Sequence, residues 1–203
     1  MTTALQEELM ERSLTHIALF AALIAVLGLV PQITLAVGVP ITAQSLGIML
    51  CGTVLGARRG ALAVVLFLVL VAAGLPLLSG GRGGLGVFAG PSAGFLAGFP
   101  VAAFVCGLIV ERWRMAIGPA AFVGAVMGGI VVLYAFGIPV LAARLTEAQI
   151  TGMPLNQNLS LPLALVALYL PGDLIKAVLA ALITRGVARA RPGSLLSRPA
   201  EAA

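Results

Sequence analysis

The 203-residue chain contains a single aspartate and a single lysine, Asp173 and Lys176, and they stand three residues apart in the apolar stretch LYLPGDLIKAVLAAL (168–182). A charged side chain at the centre of a membrane helix costs roughly 2.5–3.5 kcal/mol on insertion scales, so the two together cost about 5–7 unless they compensate each other. At i,i+3 they share one helix face and set a carboxylate acceptor beside an ammonium donor. Such a couple suits a polar, hydrogen-bonding solute better than a bare ion. An ion pair that only locks its helix to the neighbours is the competing expectation. Ionisable groups inside a membrane mark functional sites by default, and the preceding Pro171–Gly172 is expected to interrupt the helix beside them.

Other polar residues carry weaker signals. Thr42 and Gln44 follow Pro40, where a helix is expected to begin; Thr42 suits an N-cap, and Gln44 needs a partner that a ligand would supply. Ser79 and Arg82 lie in a glycine-rich connection, and Arg82 is suited to grip a carboxylate or to reach lipid headgroups. Ser92 and the lone His16 are expected at opposite membrane depths, which argues against a Ser–His dyad and against catalysis. Cys51 and Cys106 each stand alone in apolar runs and read as small core residues, so no metal site is expected. No P-loop lysine motif is present, so ATP-driven work needs a partner.

The elements that must hold these residues are transmembrane helices. The chain is 61% hydrophobic and 9% charged, with 25 glycines, and its mean hydropathy is +1.14. Soluble domains are about a quarter charged, so the composition indicates an integral membrane protein in a lipid bilayer. Six apolar runs are long enough to read as spans: 14–30, 41–57, 60–78, 92–110, 117–141 and 160–184. Arg12, Arg58, Arg59, Arg112, Arg114, Arg185, Arg189, Arg191 and Arg198 fall on one side, against Arg82 and Arg144 on the other. This bias places both termini in the cytoplasm, which agrees with an even number of spans. The net charge of +5 is explained by these flanking arginines, and no nucleic-acid partner is implied. Residues 1–13 are expected as a cytoplasmic segment too acidic for a signal peptide, 14–185 as the six-helix domain, and 186–203 as a disordered cytoplasmic tail. Ala18 with Ala22, Ala21 with Ala25, and Gly94 with Gly98 form small-xxx-small pairs that permit close helix contact, inside the protein or with another.

Three strings in order, VPITAQSLGIMLCGTVLGARRGA, AAGLPLLSGGRGGLGVFAGPSAGFLAGF and LYLPGDLIK, resemble the BioY family, the biotin-binding S components of energy-coupling factor (ECF) transporters. The resemblance runs from about residue 14 to 185. It implies an all-α, six-helix S-component bundle in the cytoplasmic membrane of a prokaryote. Biotin is then a transported ligand rather than a cofactor, captured near the outer face. The implied partner is an ECF module of one transmembrane coupling protein and two ATPase subunits, docking on Ala18 and Ala22 with Ala21 and Ala25 beside them. Asp173 and Lys176 become the substrate-binding acid and lysine, with Gln44, Thr42, Arg82 and Ser79 as further ligand candidates. Phe95 stands where the family often has tyrosine. The alternative from the residues alone is a proton- or cation-coupled secondary transporter in which Asp173 binds the coupling ion.

Overall fold

The computed structural model describes residues 3–32, 41–113, 116–145 and 160–198, with side chains in the first stretch from Met10 onward. Parts of two expected outward loops, 33–40 and 146–159, and Arg114 lie outside the described residues. The described chain forms helices α1 (Thr3–Leu27), α2 (Gln44–Leu55), α3 (Ala57–Ala72), α4 (Ala93–Arg112), α5 (Ile117–Arg144) and α6 (Leu161–Ala190). Within α5 a π-helical stretch, Met127–Val132, separates two α-helical parts.

The centre of the bundle is α2. Eleven of its twelve residues are buried, which is how a helix apolar on every side must sit. All the other helices pack against it. Gly52 permits the closest approach: a Cβ there would lie 2.3 Å from the Ala103 carbonyl oxygen of α4. Gly56 alone joins α2 to α3, at φ +87°, a left-handed conformation that other residues rarely adopt. The Glu111 carboxylate accepts the Ala57 N–H at 2.8 Å and so serves one of the unpaired donors at the start of α3.

Successive helices alternate in direction. Arg59 Nε donates to Ser13 Oγ at 2.8 Å, placing the start of α3 beside the N-terminal half of α1. At the opposite end Arg144, closing α5, donates to the Ala89 carbonyl in the turn before α4 at 2.5 Å. Arg12, Arg58, Arg59 and Arg112 therefore gather at one end of the bundle, and Arg82 and Arg144 at the other. Four stretches are long and apolar enough to cross a membrane: Met10–Leu27, Ala93–Arg112, Ile117–Arg144 and Leu161–Ala190. The remaining two helices, at ~1.5 Å per residue, are only about 18 Å (α2) and about 24 Å (α3) long, short of a ~30 Å hydrocarbon core.

Two expectations are corrected. Pro171 does not interrupt the last helix, which runs unbroken from Leu161 to Ala190. One missing N–H leaves the Ala167 carbonyl without its ladder partner, and a helix of thirty residues absorbs that single loss. Nor is 186–198 a free tail. The helix continues to Ala190, and the chain then folds back as a strap. Leu195 is 5% exposed, Ser197 N–H donates to Val54 O at 2.9 Å and Ser197 Oγ donates to Thr53 O at 2.6 Å. Arg198 Nε reaches Val110 O at 2.7 Å, and Arg12 donates to Gly193 O. The strap supplies donors to the last carbonyls of α2 and α4, which helix termini otherwise leave unpaired.

The small-residue pairs divide. Gly94 and Gly98 face α5, where a Cβ on Gly94 would lie 2.4 Å from Phe136 O. This pair is internal packing. Ala21 is 3% exposed and belongs to the core, with Ala25 partly buried beside it, whereas Ala18 and Ala22 are exposed. Cys51 and Cys106 are buried core residues.

Close approach at α2 has a testable consequence. Gly52→Ala forces helix α4 backbone to move and is expected to cost about 1–3 kcal/mol. Gly186→Ala meets nothing within 4 Å and is expected to be neutral or stabilising by up to ~1 kcal/mol. Thermal unfolding of the two variants in detergent, with Gly52→Ala melting lower and Gly186→Ala no lower than the parent, checks the packing.

Candidate functional site

Asp173 lies on the inward face of α6, 6% exposed, and three neighbours close around its carboxylate. Lys176 Nζ donates to Oδ1 at 2.8 Å, Tyr134 of α5 donates its hydroxyl to Oδ2 at 2.7 Å, and Ser45 Oγ of α2 stands 3.4 Å from Oδ1. Lys176 Nζ also donates to Ser45 Oγ at 2.9 Å. One charge pair is thus tied to three helices. Removing one member of such a buried pair typically costs about 3–5 kcal/mol, because the other is left uncompensated.

Asp173, Lys176 and Ser45 form one wall of a cavity at the end of the bundle that carries Arg82 and Arg144, with Tyr134 behind them. Its polar lining includes Thr42, Gln44, Ser45, Arg82, Ser92 and the Asp173–Lys176 pair. Ile41, Leu78, Phe95, Leu96, Phe99 and Leu133 supply apolar walls, with Tyr169 between. The Phe95 and Tyr169 rings sit 6.2 Å apart, tilted by 57°, within the range of favourable edge-to-face contact. Tyr169, Asp173 and Lys176 repeat at i, i+4 and i+7, so one face of α6 carries all three.

The hydrogen-bond inventory shows what remains for a ligand. An ammonium has three donors; those of Lys176 that are engaged go to Asp173 and Ser45, leaving one. A carboxylate has about four acceptor sites, and Lys176, Tyr134 and Ser45 occupy at most three. Arg82 Nε donates to Ser79 O at 3.2 Å, while its two amino groups have no partner among the described residues. A donor, an acceptor and a guanidinium thus border an apolar chamber.

Of the expected site residues, Asp173, Lys176, Thr42, Gln44 and Arg82 converge on this cavity and Ser79 does not line it. The Gln44 amide, expected to find its partner in a ligand, is engaged by backbone instead. Its Nε2 donates to Ile24 O at 3.2 Å and Leu77 O at 3.1 Å, and its Oε1 accepts Ser79 N–H at 3.0 Å. Gln44 therefore ties α1, α2 and the connection after α3 together. Ser79 is 1% exposed and acts through its backbone in this network. Thr42 is not the N-cap, which is Ala43. His16 Nδ1 approaches Arg12 O at 2.7 Å at the arginine-rich end, whereas Ser92 lines the cavity at the other, so the two do not meet.

Ser45, Tyr134 and Tyr169 are site residues that sequence reasoning missed. A signal existed for two of them: the chain has only two tyrosines, and both flank Asp173. Tyr134 comes just after the π stretch Met127–Val132. An extra residue per turn rotates the facing direction of all later side chains on the helix by about 100°, and π turns of this kind recur at functional sites.

Comparison with known proteins agrees with this architecture. The BioY family profile matches residues 1–193. The chain is 54% identical over 193 residues to the biotin transporter BioY of Rhodobacter capsulatus, covering 93% of this chain and 100% of that one. It is 44% identical to the probable biotin transporter BioY of Bacillus subtilis, over 86% and 89% of the two chains. Among solved structures it is similar to the S component for biotin from an ECF-type ABC transporter, with TM-score 0.77, 29% identity, and coverage of 93% and 95%. With a profile match across residues 1–193 and a relative matched along its entire length, the chain belongs to the BioY family.

Proposed function

We propose that this protein captures biotin in the cavity beside Asp173 and delivers it across the membrane as the substrate-specific subunit of an ECF transporter. The observation that carries the reading is the lone buried Asp173–Lys176 pair, which faces an apolar chamber with one donor and at least one acceptor site unengaged. Family membership and the similarity to a biotin S component support it. One ureido N–H of biotin donates to Asp173, and the ureido oxygen accepts from Lys176. The thiophane and valeryl carbons pack on Phe95, Leu96 and Phe99. The carboxylate, at the far end of the ligand, meets the free amino groups of Arg82. Discrimination follows from unpaired buried polar groups: an analogue lacking the ring N–H groups leaves Asp173 short of donors.

All six helices belong to the membrane domain in this reading, with α2 short because protein surrounds it and no lipid contacts it. The arginine-rich end faces the cytoplasm, as the bias of basic residues requires, and the cavity opens outward. The ATPase-bearing module docks on α1. There Met10, Leu14, Ala18, Ala22 and Val26 repeat every fourth residue and are all exposed. This stripe is apolar throughout, and two alanines let a partner helix approach closely.

Calorimetric titration of ligand-stripped protein in detergent tests the site. One biotin is expected to bind per chain, weakened at least tenfold, or ~1.4 kcal/mol, by Asp173→Asn and by Lys176→Met. Tyr134→Phe, which removes one donor to Asp173, is expected to weaken binding less than either. Equal binding by all variants makes the cluster structural only, and no binding by folded parent protein ends the assignment. The role of Arg82 has its own signature. Arg82→Gln is expected to weaken biotin about tenfold while leaving affinity for biotin amide, which lacks the carboxylate, within about twofold. An equal loss for both ligands places the carboxylate elsewhere.

A further inference from the structure

A second groove lies at the arginine-rich end, between the start of α3 and the end of α4, far from the Asp173 cavity. It is lined by Arg58, Arg59, Glu111 and Arg112, with Phe104 and Leu108 on its apolar side. The groove volume is about 560 Å³, within the roughly 300–1,000 Å³ of pockets that hold small-molecule ligands. Glu111 is turned to the Ala57 N–H and Arg59 is held by Ser13. Neither Arg58 nor Arg112 has a hydrogen bond or ion pair among the described residues, and the single ion pair there is Asp173–Lys176. Two unpaired guanidinium groups therefore border one hollow.

The surface leading away from them is equally specific. Along α3, Arg58 is followed by Leu62, Val65 and Val69, at i+4, i+7 and i+11, with exposures of 54%, 42% and 57%. Along α4, Arg112 is preceded by Leu108, Phe104 and Val101, at i−4, i−8 and i−11, of which the last two are 39% exposed. Each helix thus presents an apolar track that ends in an arginine, and the two arginines end at the same depth. Trp113, the only tryptophan in the chain, comes directly after Arg112 and is 44% exposed; tryptophan concentrates at the membrane–water interface. That marks the groove as lying at headgroup level.

We infer that this groove binds one anionic phospholipid, its phosphate held by Arg58 and Arg112 and its acyl chains lying along the α3 and α4 tracks. A phosphodiester fits the donors because arginine forks pair with phosphate oxygens bidentately. A soluble anion has no use for the two apolar tracks, whereas the acyl chains of a lipid lie along them. The groove occupies a different face from the ligand cavity, and its lipid does not depend on which solute that cavity takes.

Native mass spectrometry of the full chain in detergent, titrated with dioleoylphosphatidylglycerol or dioleoylphosphatidylcholine, tests it. The parent protein is expected to retain one phosphatidylglycerol with at least tenfold preference over phosphatidylcholine. In Arg58→Gln/Arg112→Gln the preference is expected to fall at least fivefold, with biotin binding unchanged as the control for folding. Arg189→Gln/Arg191→Gln, which removes equal charge elsewhere on that end, is expected to keep it. Three results overturn the inference: both double variants lose the preference alike, the groove variant keeps it, or inorganic phosphate displaces the lipid at millimolar concentration. A groove variant that keeps its lipid but no longer associates with the ATPase-bearing module assigns the groove to protein contact and overturns it as well.

Discussion

Everything at the Asp173 cavity depends on one ion pair held inside a membrane bundle. Asp173 and Lys176 lie 2.8 Å apart, and their side chains are only 9% and 13% exposed. Two such charges cost about 5–7 kcal/mol to place at the centre of a helix in lipid. Their mutual attraction offsets part of this, and hydrogen bonds from Tyr134 and Ser45 offset more. The requirement fixes geometry: α2 must bring Ser45, and α5 must turn Tyr134, to one spot on α6. Association of three helices therefore rests on the same atoms that line the proposed biotin site.

The position of α2 is a consequence of this arrangement. A helix too short to cross the bilayer unaided sits where no lipid reaches it, and its ends are served by other parts of the chain. Gln44, at its first turn, holds Ile24 O, Leu77 O and Ser79 N–H. Thr53 and Val54, at its last turn, receive the donors of Ser197. The Thr53 side chain also shares a hydrogen bond of 2.8 Å with Thr184, joining α2 to α6 a second time. The cavity is thus framed by a helix buried along nearly its whole length, which holds the polar groups of its lining in place.

Much of this was legible in the sequence, because membranes make polarity conspicuous. Asp173 and Lys176 stood out as the only residues of their kind, and arginine counts separated the two ends as the helix directions do. Arg82 and Thr42, singled out by their positions near helix starts and loops, line the cavity beside that pair. What escaped had other physical origins. Ser45 is a small polar residue common in helices, and nothing local says which side chain it will meet across the bundle. Tyr134 depends on the π stretch, which shifts its facing direction without a sequence signal as plain as a proline. The strap at 191–198 reads as a polar, proline-bearing tail, and its order comes from the unpaired carbonyls of α2 and α4, a tertiary cause. Pro171 misled in the opposite direction, since a long packed helix tolerated it.

The central claim of the proposed function is that Asp173 accepts a hydrogen bond from a ring N–H of the ligand. The most direct measurement is the affinity of biotin and of its ureido N-methylated analogue for the parent protein and for Asp173→Asn, taken as a cycle. Methylation is predicted to weaken binding at least tenfold in the parent but less than threefold in Asp173→Asn, because the neutral amide offers a weaker acceptor. An equal penalty in both proteins, meaning no coupling between that N–H and that carboxylate, would contradict the account.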